Sequence, residues 1–135
     1  MALSRNQVQI TWSSAGSVSV PAGGTATSDL IGLSPAAIRS QIQVKADHAD
    51  YPAVGDTVEF WLLQTLGDPD GADADEYDTE RRAVLLAVLD TCEDDPALTT
   101  AGLPVPAKGA KLLAKNNAAH AVTVSAIVLE QLSGP

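Results

Sequence analysis

The residues best suited to chemistry in this sequence form an acidic stretch at positions 67–80, which holds seven carboxylates and two glycines. Calcium takes six to eight oxygen ligands, and a flexible loop rich in aspartate and glycine can supply them. The ligands of a calcium site in this stretch would be Asp68, Asp70, Asp73 and Asp75.

The spacing of these carboxylates does not match an EF-hand loop. With Gly71 at the invariant glycine position, the first ligand would be Leu66 and the twelfth would be Tyr77, and neither side chain suits calcium. A run of like charges is more often a solvated, self-repelling surface loop. Calcium therefore remains the minority interpretation of this stretch, and the sequence suggests no other cofactor.

The histidines and the single cysteine do not form a catalytic pattern. His48 lies beside Asp47, and a His–Asp pair can act as a general base. No Gly-x-Ser-x-Gly motif accompanies it, and Cys92 lies among acidic residues that disfavour a thiolate. His120 is 72 positions away from His48, so the two do not read as a metal-ligand pair. We predict that the protein is not an enzyme.

Size and charge limit the remaining classes of function. The chain has 135 residues, which fits a single domain over positions 1–135. It has 8 Lys and Arg against 17 Asp and Glu, and a net charge of −9 gives no electrostatic basis for binding nucleic acid or an anionic membrane. No apolar run approaches 18 residues, so the sequence predicts no membrane span. The polar residues 1–6 are expected to form a mobile N-terminal arm.

The elements that position these residues are predicted to be strands. Residues 38–48 alternate between apolar and polar, with His48 on the apolar face, as expected for a strand with one buried face. Trp12 and Trp61 are expected in the core. The pattern at 79–90 fits a helix or a strand, and we favour one helical turn followed by a strand from position 83. Strands are predicted at 7–12, 17–20, 25–33, 38–48, 57–65, 83–90, 111–115 and 120–130.

About eight strands with turn signals between them favour an all-β fold. The strands do not alternate with helical patterns, which argues against a parallel α/β sheet. The best fit is an antiparallel, jelly-roll-like β-sandwich with at most one short helical turn. Residues 116–119 are expected to form a tight hairpin turn before the last strand.

Several phrases of the sequence resemble small head proteins of tailed bacteriophages. They lie within residues 38–130, at 53–62, 67–71, 75–79, 89–91, 104–112 and 117–126, and include Ala-Val-Gly-Asp-Thr-Val-Glu-Phe-Trp-Leu and Asn-Ala-Ala-His-Ala-Val-Thr-Val-Ser-Ala. These phrases belong to loops and strands and carry no catalytic motif.

The resemblance implies a β-sandwich decoration or cement subunit. Such a subunit binds the major capsid protein on the outer surface of the head, commonly as a trimer, and stabilises contacts between capsomers. It would be made in the host cytoplasm and would belong to the virion. A head–tail or tail-associated subunit is a related interpretation. From another class, a calcium-dependent β-sandwich module that binds carbohydrate or another ligand remains the alternative, and it should present exposed aromatic side chains.

Overall fold

The described part of the chain is built entirely from strands and connections. A computed structural model describes residues 3–32, 37–64, 84–89, 97–99, 103–104 and 110–133. No helix in those residues is long and apolar enough to cross a membrane. The helical turn expected at 79–82 lies outside the described residues. The strands are β1 (Leu3–Ile10), β2 (Val18–Val20), β3 (Thr25–Thr27), β4 (Ala37–His48), β5 (Val58–Gln64), β6 (Val84–Leu89), β7 (Ala97–Thr99), β8 (Leu103–Pro104), β9 (Ala110–Asn116) and β10 (Val122–Ser133).

The strands form two antiparallel sheets, which confirms the predicted β-sandwich. The six-stranded sheet has the order β1-β10-β4-β7, with β2 also pairing with β10 and β8 with β4. The four-stranded sheet has the order β3-β9-β5-β6. The chain passes repeatedly from one sheet to the other, so neighbours in sequence are often on opposite sides of the core. The two long strands β4 and β10 pair along most of their length at the centre of the larger sheet.

The core lies between the sheets and follows the alternation that the sequence predicts. Over residues 40–48 of β4 and 122–130 of β10, every second residue points inward, while the intervening residues face outward. Trp12 is 2% exposed, as expected for a core tryptophan. The main inward-facing side chains are Ile42, Val44, Ala46, Val122, Val124, Ala126 and Val128 from the larger sheet and Val58, Phe60, Leu62, Leu112 and Ala114 from the smaller one.

The turn at 116–119 is not the hairpin that the sequence predicts. β9 belongs to the four-stranded sheet, whereas β10 belongs to the six-stranded sheet. Residues 117–121 therefore form a corner that carries the chain across the core. A hairpin and a corner have the same turn residues, and the difference lies only in the partners of the two strands.

Asn116 fixes this corner from inside the core. Its side chain is fully buried, and Nδ2 donates to the carbonyl oxygens of His120 (2.8 Å), Val20 (3.1 Å) and Pro21 (3.2 Å). Its Oδ1 accepts a hydrogen bond from the backbone N–H of Ala118 at 2.8 Å. A residue of the smaller sheet thus satisfies backbone groups at the end of β2 in the larger sheet, and it ties the two sheets together.

Two further expectations differ from the structure. Residues 3–6 of the expected N-terminal arm belong to β1, where Leu3 lies opposite Ser133 and Asn6 lies opposite Glu130. Trp61 is not in the core. It is half-buried on the outer face of the smaller sheet, and its indole N–H donates to Glu59 Oε1 at 3.2 Å. An apolar run through a strand does not reveal which of its residues face the core.

Asn116→Ala is expected to lower the free energy of unfolding by about 3 kcal/mol, because it leaves buried backbone groups without partners. Urea unfolding of the variant measures the loss. The matched control is Asn117→Ala, since Asn117 is exposed and bonds only to groups at the surface. The control should cost less than about 1 kcal/mol. Equal losses in the two variants would contradict the role given to Asn116.

Candidate functional site

The acidic stretch lies outside the described residues. The candidate calcium ligands Asp68, Asp70, Asp73 and Asp75, and also Cys92, belong to that part of the chain. Within the residues that the structure does describe, no group of three or more His, Cys, Asp or Glu side chains could hold a metal ion. The calcium site therefore stays a prediction.

The structure brings together the two histidines that the sequence separates. His48 Nδ1 lies 2.8 Å from His120 Nε2, and the ring centroids are 5.0 Å apart at an interplanar angle of 70°. β4 and β10 pair in antiparallel register with Val122 opposite His48, so the residue that precedes β10 by two positions meets the end of β4. The pairing of the two longest alternating segments was the one sequence signal that could have indicated this contact.

The histidine pair works as a directional hydrogen bond inside the corner. One ring must donate an N–H and the other must present a bare nitrogen, so the bond cannot form when both rings are fully protonated. His48 is 4% exposed, which shields the bond from water. The backbone around the pair is fixed by Asn116, which bonds the His120 carbonyl, and by the Ala49 N–H, which donates to the Ala121 carbonyl at 3.0 Å. This geometry makes the pair a clamp between β4 and the corner.

A second polar cluster holds a strained turn against the sandwich. Ser13 and Ser14 have φ angles of 50° and 68°, which lie in the left-handed region that disfavours residues with a Cβ. Asp29 Oδ2 accepts hydrogen bonds from the Ser14 backbone N–H (2.8 Å) and from Thr11 Oγ1 (2.7 Å). These two bonds, chiefly the one from Ser14, lower the pKa of Asp29 from its ordinary value of 3.8.

The outer face of the six-stranded sheet carries most of the exposed amides of the described chain. Residues that lie directly opposite each other on β1, β10 and β4 form rows across this face. In each row a side chain of β10 lies between a polar side chain of β1 and one of β4. The half-buried Ile127 and Leu129 form a short aliphatic stripe along the middle of the face. The three successive rows are Arg5–Gln131–Arg39, Gln7–Leu129–Gln41 and Gln9–Ile127–Gln43.

This face is cationic, although the chain as a whole is acidic. It presents three of the five Lys and Arg side chains in the described residues, namely Arg5, Arg39 and Lys45. The carboxylate of Asp47 lies at the far end of the face, opposite Thr123. Two depressions of about 300 Å³ open on this face, one beside Arg5 and Arg39 and the other beside Lys45. We call this surface the amide face.

Comparisons with known proteins identify the fold. No protein-family model matches the chain, and no curated protein matches its sequence. Among solved structures, the chain is similar to the C-terminal CBM6 of LamC, a marine laminarinase from Zobellia galactanivorans, with a TM-score of 0.51 and 11% identity over 93% of this chain and 99% of that one. It is also similar to the CBM22-1–GH10 modules of Clostridium thermocellum Xyn10B in complex with xylohexaose. That match has a TM-score of 0.48 and 11% identity over 84% of this chain and 20% of that one.

At this level of identity the likeness to the LamC module defines a class of fold, an antiparallel β-sandwich, and nothing more specific. Carbohydrate-binding modules share that architecture. What the module binds does not carry over from the fold alone.

Asp29→Asn is expected to change how stability depends on pH. Because the folded-state pKa of Asp29 is lowered, the carboxylate stabilises the fold above pH 3.8, and this contribution is lost as the pH falls through the folded-state pKa. The wild type should be more stable than Asp29→Asn at neutral pH, and the difference should close below pH 3.8. Thermal unfolding across this range measures the difference. A difference that does not vary with pH would refute the assignment.

A double-mutant cycle on His48→Ala and His120→Ala tests the histidine clamp. Each single substitution is expected to destabilise the fold, and the double variant should lose about 1 kcal/mol less than the sum of the two, because their shared hydrogen bond is lost only once. Urea unfolding of the four proteins gives the coupling energy. Additive losses would show that the close approach of the two rings contributes no stability.

Proposed function

We propose that this protein is a capsid decoration subunit that binds the outer surface of a tailed-bacteriophage head and stabilises contacts between capsomers. Its partner is the major capsid protein, it acts as an oligomer with a trimer as the first expectation, and it belongs to the virion after synthesis in the host cytoplasm. The observation that carries this proposal is the sequence resemblance over residues 38–130.

Two phrases of that resemblance fall on structurally important parts of the sandwich. Residues 53–62 lead into and form most of β5, and residues 117–126 form the corner and the first half of β10. The corner holds the buried Asn116 bonds and the histidine clamp. A cement subunit has to be rigid, because mobile contacts transmit little strain between neighbours. Internal ties between the two sheets support such a role, and repeated attachment turns modest single contacts into tight binding.

Head binding can be tested directly with heads of the virus whose genome carries this gene. Heads that lack the protein are mixed with purified chain, sedimented and imaged, and the occupancy per head is counted. The chain should saturate assembled heads at a fixed number of sites and should not bind free capsid monomers. Heads with bound chain should resist heating better than bare heads. Failure to bind assembled heads would overturn the proposal.

A carbohydrate-binding module is the second candidate, and the comparisons with solved structures favour it over the first. The chain overlays on almost the whole LamC module, and the amides of the outer sheet face could bond sugar hydroxyls. The described aromatic side chains give this candidate less support. Trp12 and Phe60 are buried, Trp61 is half-buried, and Tyr51, 77% exposed, lies in the loop that follows β4. Stacking on aromatic rings is a usual contribution to sugar binding.

Affinity electrophoresis separates the second candidate from the first. The chain is run in gels with and without soluble laminarin, and the experiment is repeated with calcium and with a chelator. Retardation by laminarin, together with no binding to heads, would establish the carbohydrate module. Retardation that also disappears with the chelator would point to a calcium site, for which Asp68, Asp70, Asp73 and Asp75 are the candidates. Free migration in every gel would exclude laminarin as its ligand.

A further inference from the structure

We infer that the amide face is a contact surface between copies of this chain, and that Arg5 and Arg39 bind carboxylates of the second copy. The inference deepens the proposed function, because it names the face that an oligomeric subunit would use. It does not depend on where the oligomer sits on a head.

The charge distribution is the first argument. The described residues hold five of the eight Lys and Arg side chains but only six of the 17 Asp and Glu side chains, so most of the net charge of −9 lies elsewhere in the sequence. A second copy therefore offers many carboxylates to a locally cationic face. At physiological ionic strength charges interact over about 8 Å, so nearby pairs outweigh the repulsion between the net charges of two copies.

The geometry around the arginines is the second argument. Arg5 and Arg39 lie on the two strands that flank β10, in one row with Gln131 between them. With strands about 4.8 Å apart, their Cα atoms are about 10 Å apart, which lets both guanidinium groups reach one anionic group. Each guanidinium is exposed and has no ion pair in the described part of the chain. The depression of about 300 Å³ beside them is large enough for a side-chain carboxylate, which a guanidinium binds through two parallel hydrogen bonds. Glu130 also lines this depression, but its side chain is only 1% exposed and its Oε1 accepts a hydrogen bond from Asn6 Nδ2.

The composition of the rest of the face favours a protein as the occupant. β4 and β10 each have 12 residues, so the face is about 40 Å long, and three strands make it about 14 Å wide. That is on the order of 560 Å², somewhat below the ~800 Å² that one partner contributes to a standard interface. Arginines and a central aliphatic stripe with few carboxylates are typical of protein contacts.

The contact joins unlike surfaces, because a cationic face on one copy meets carboxylates on another. Such head-to-tail contacts form a closed ring when the rotation between copies closes. A ring of three is compatible with the oligomer in the proposed function, and the same contact can close rings of other sizes.

The test compares two double variants that remove the same charge from opposite sheets. Arg5→Gln with Arg39→Gln removes the paired cations of the amide face and leaves the amide chemistry that surrounds them. The matched control is Lys111→Gln with Lys115→Gln on the four-stranded sheet. Light scattering on a concentration series in 0.15 M salt gives the mass of each protein against the 13.9 kDa of one chain. Circular dichroism confirms that each variant is folded.

The wild type should form an oligomer of defined mass. The concentration below which the oligomer dissociates should be at least about tenfold higher for the arginine variant than for the wild type. The lysine variant should dissociate at the same concentration as the wild type. A wild type that is monomeric throughout, an arginine variant that assembles normally, or equal weakening by both variants would each overturn the inference.

Head binding separates failure of this inference from failure of the proposed function. A monomeric chain that still saturates heads keeps the function and loses this contact. An arginine variant with wild-type mass that no longer binds heads would show that the face meets the shell instead.

Discussion

The buried side chain of Asn116 is the interaction on which most of the sandwich depends. It belongs to the four-stranded sheet but completes hydrogen bonds at the end of β2, a strand of the six-stranded sheet, and within the corner that leads into β10. Apolar packing between two sheets is not directional and does not fix their relative position. A fully satisfied polar residue in the same core does, because its bonds are lost if either sheet slides.

The histidine clamp depends on the same corner. Asn116 bonds the carbonyl of His120, and the ring of His120 then meets His48 at the end of β4. The two interactions together hold the final residues of β4, β9 and the approach to β10 in one place. Asp29 has a comparable role elsewhere in the fold, where its lowered pKa reflects the bonds that keep the Ser13–Ser14 turn in a strained conformation. Polar side chains therefore fix the conformation of these two described turns, the corner at 117–121 and the turn at 13–14.

Local pattern predicted the strands of this fold well but did not predict their partners. The alternation at 38–48 placed Ile42, Val44 and His48 on the buried face correctly, because period-two burial is a property of a single strand. The hairpin at 116–119 was wrong because turn residues do not specify the sheet of the next strand. The contact between His48 and His120 was missed for the same reason, since it arises from the pairing of strands far apart in sequence. The amide face was also invisible, because its rows combine β1, β4 and β10.

The order in which the strands occur has a consequence for how the chain reaches this structure. β10 lies between β1 and β4 and also pairs with β2, yet it is the last of the described strands in sequence. The larger sheet therefore has no centre until residues 122–133 are available, and β1 must find a partner more than 100 residues away. Contacts this distant make the search for the native topology slow, on the millisecond-to-second scale typical of all-β sandwiches. Until β10 docks, the edges of β1 and β4 that pair with it are exposed, and so are the apolar side chains on their inward faces. The chain is most prone to aggregate during that interval.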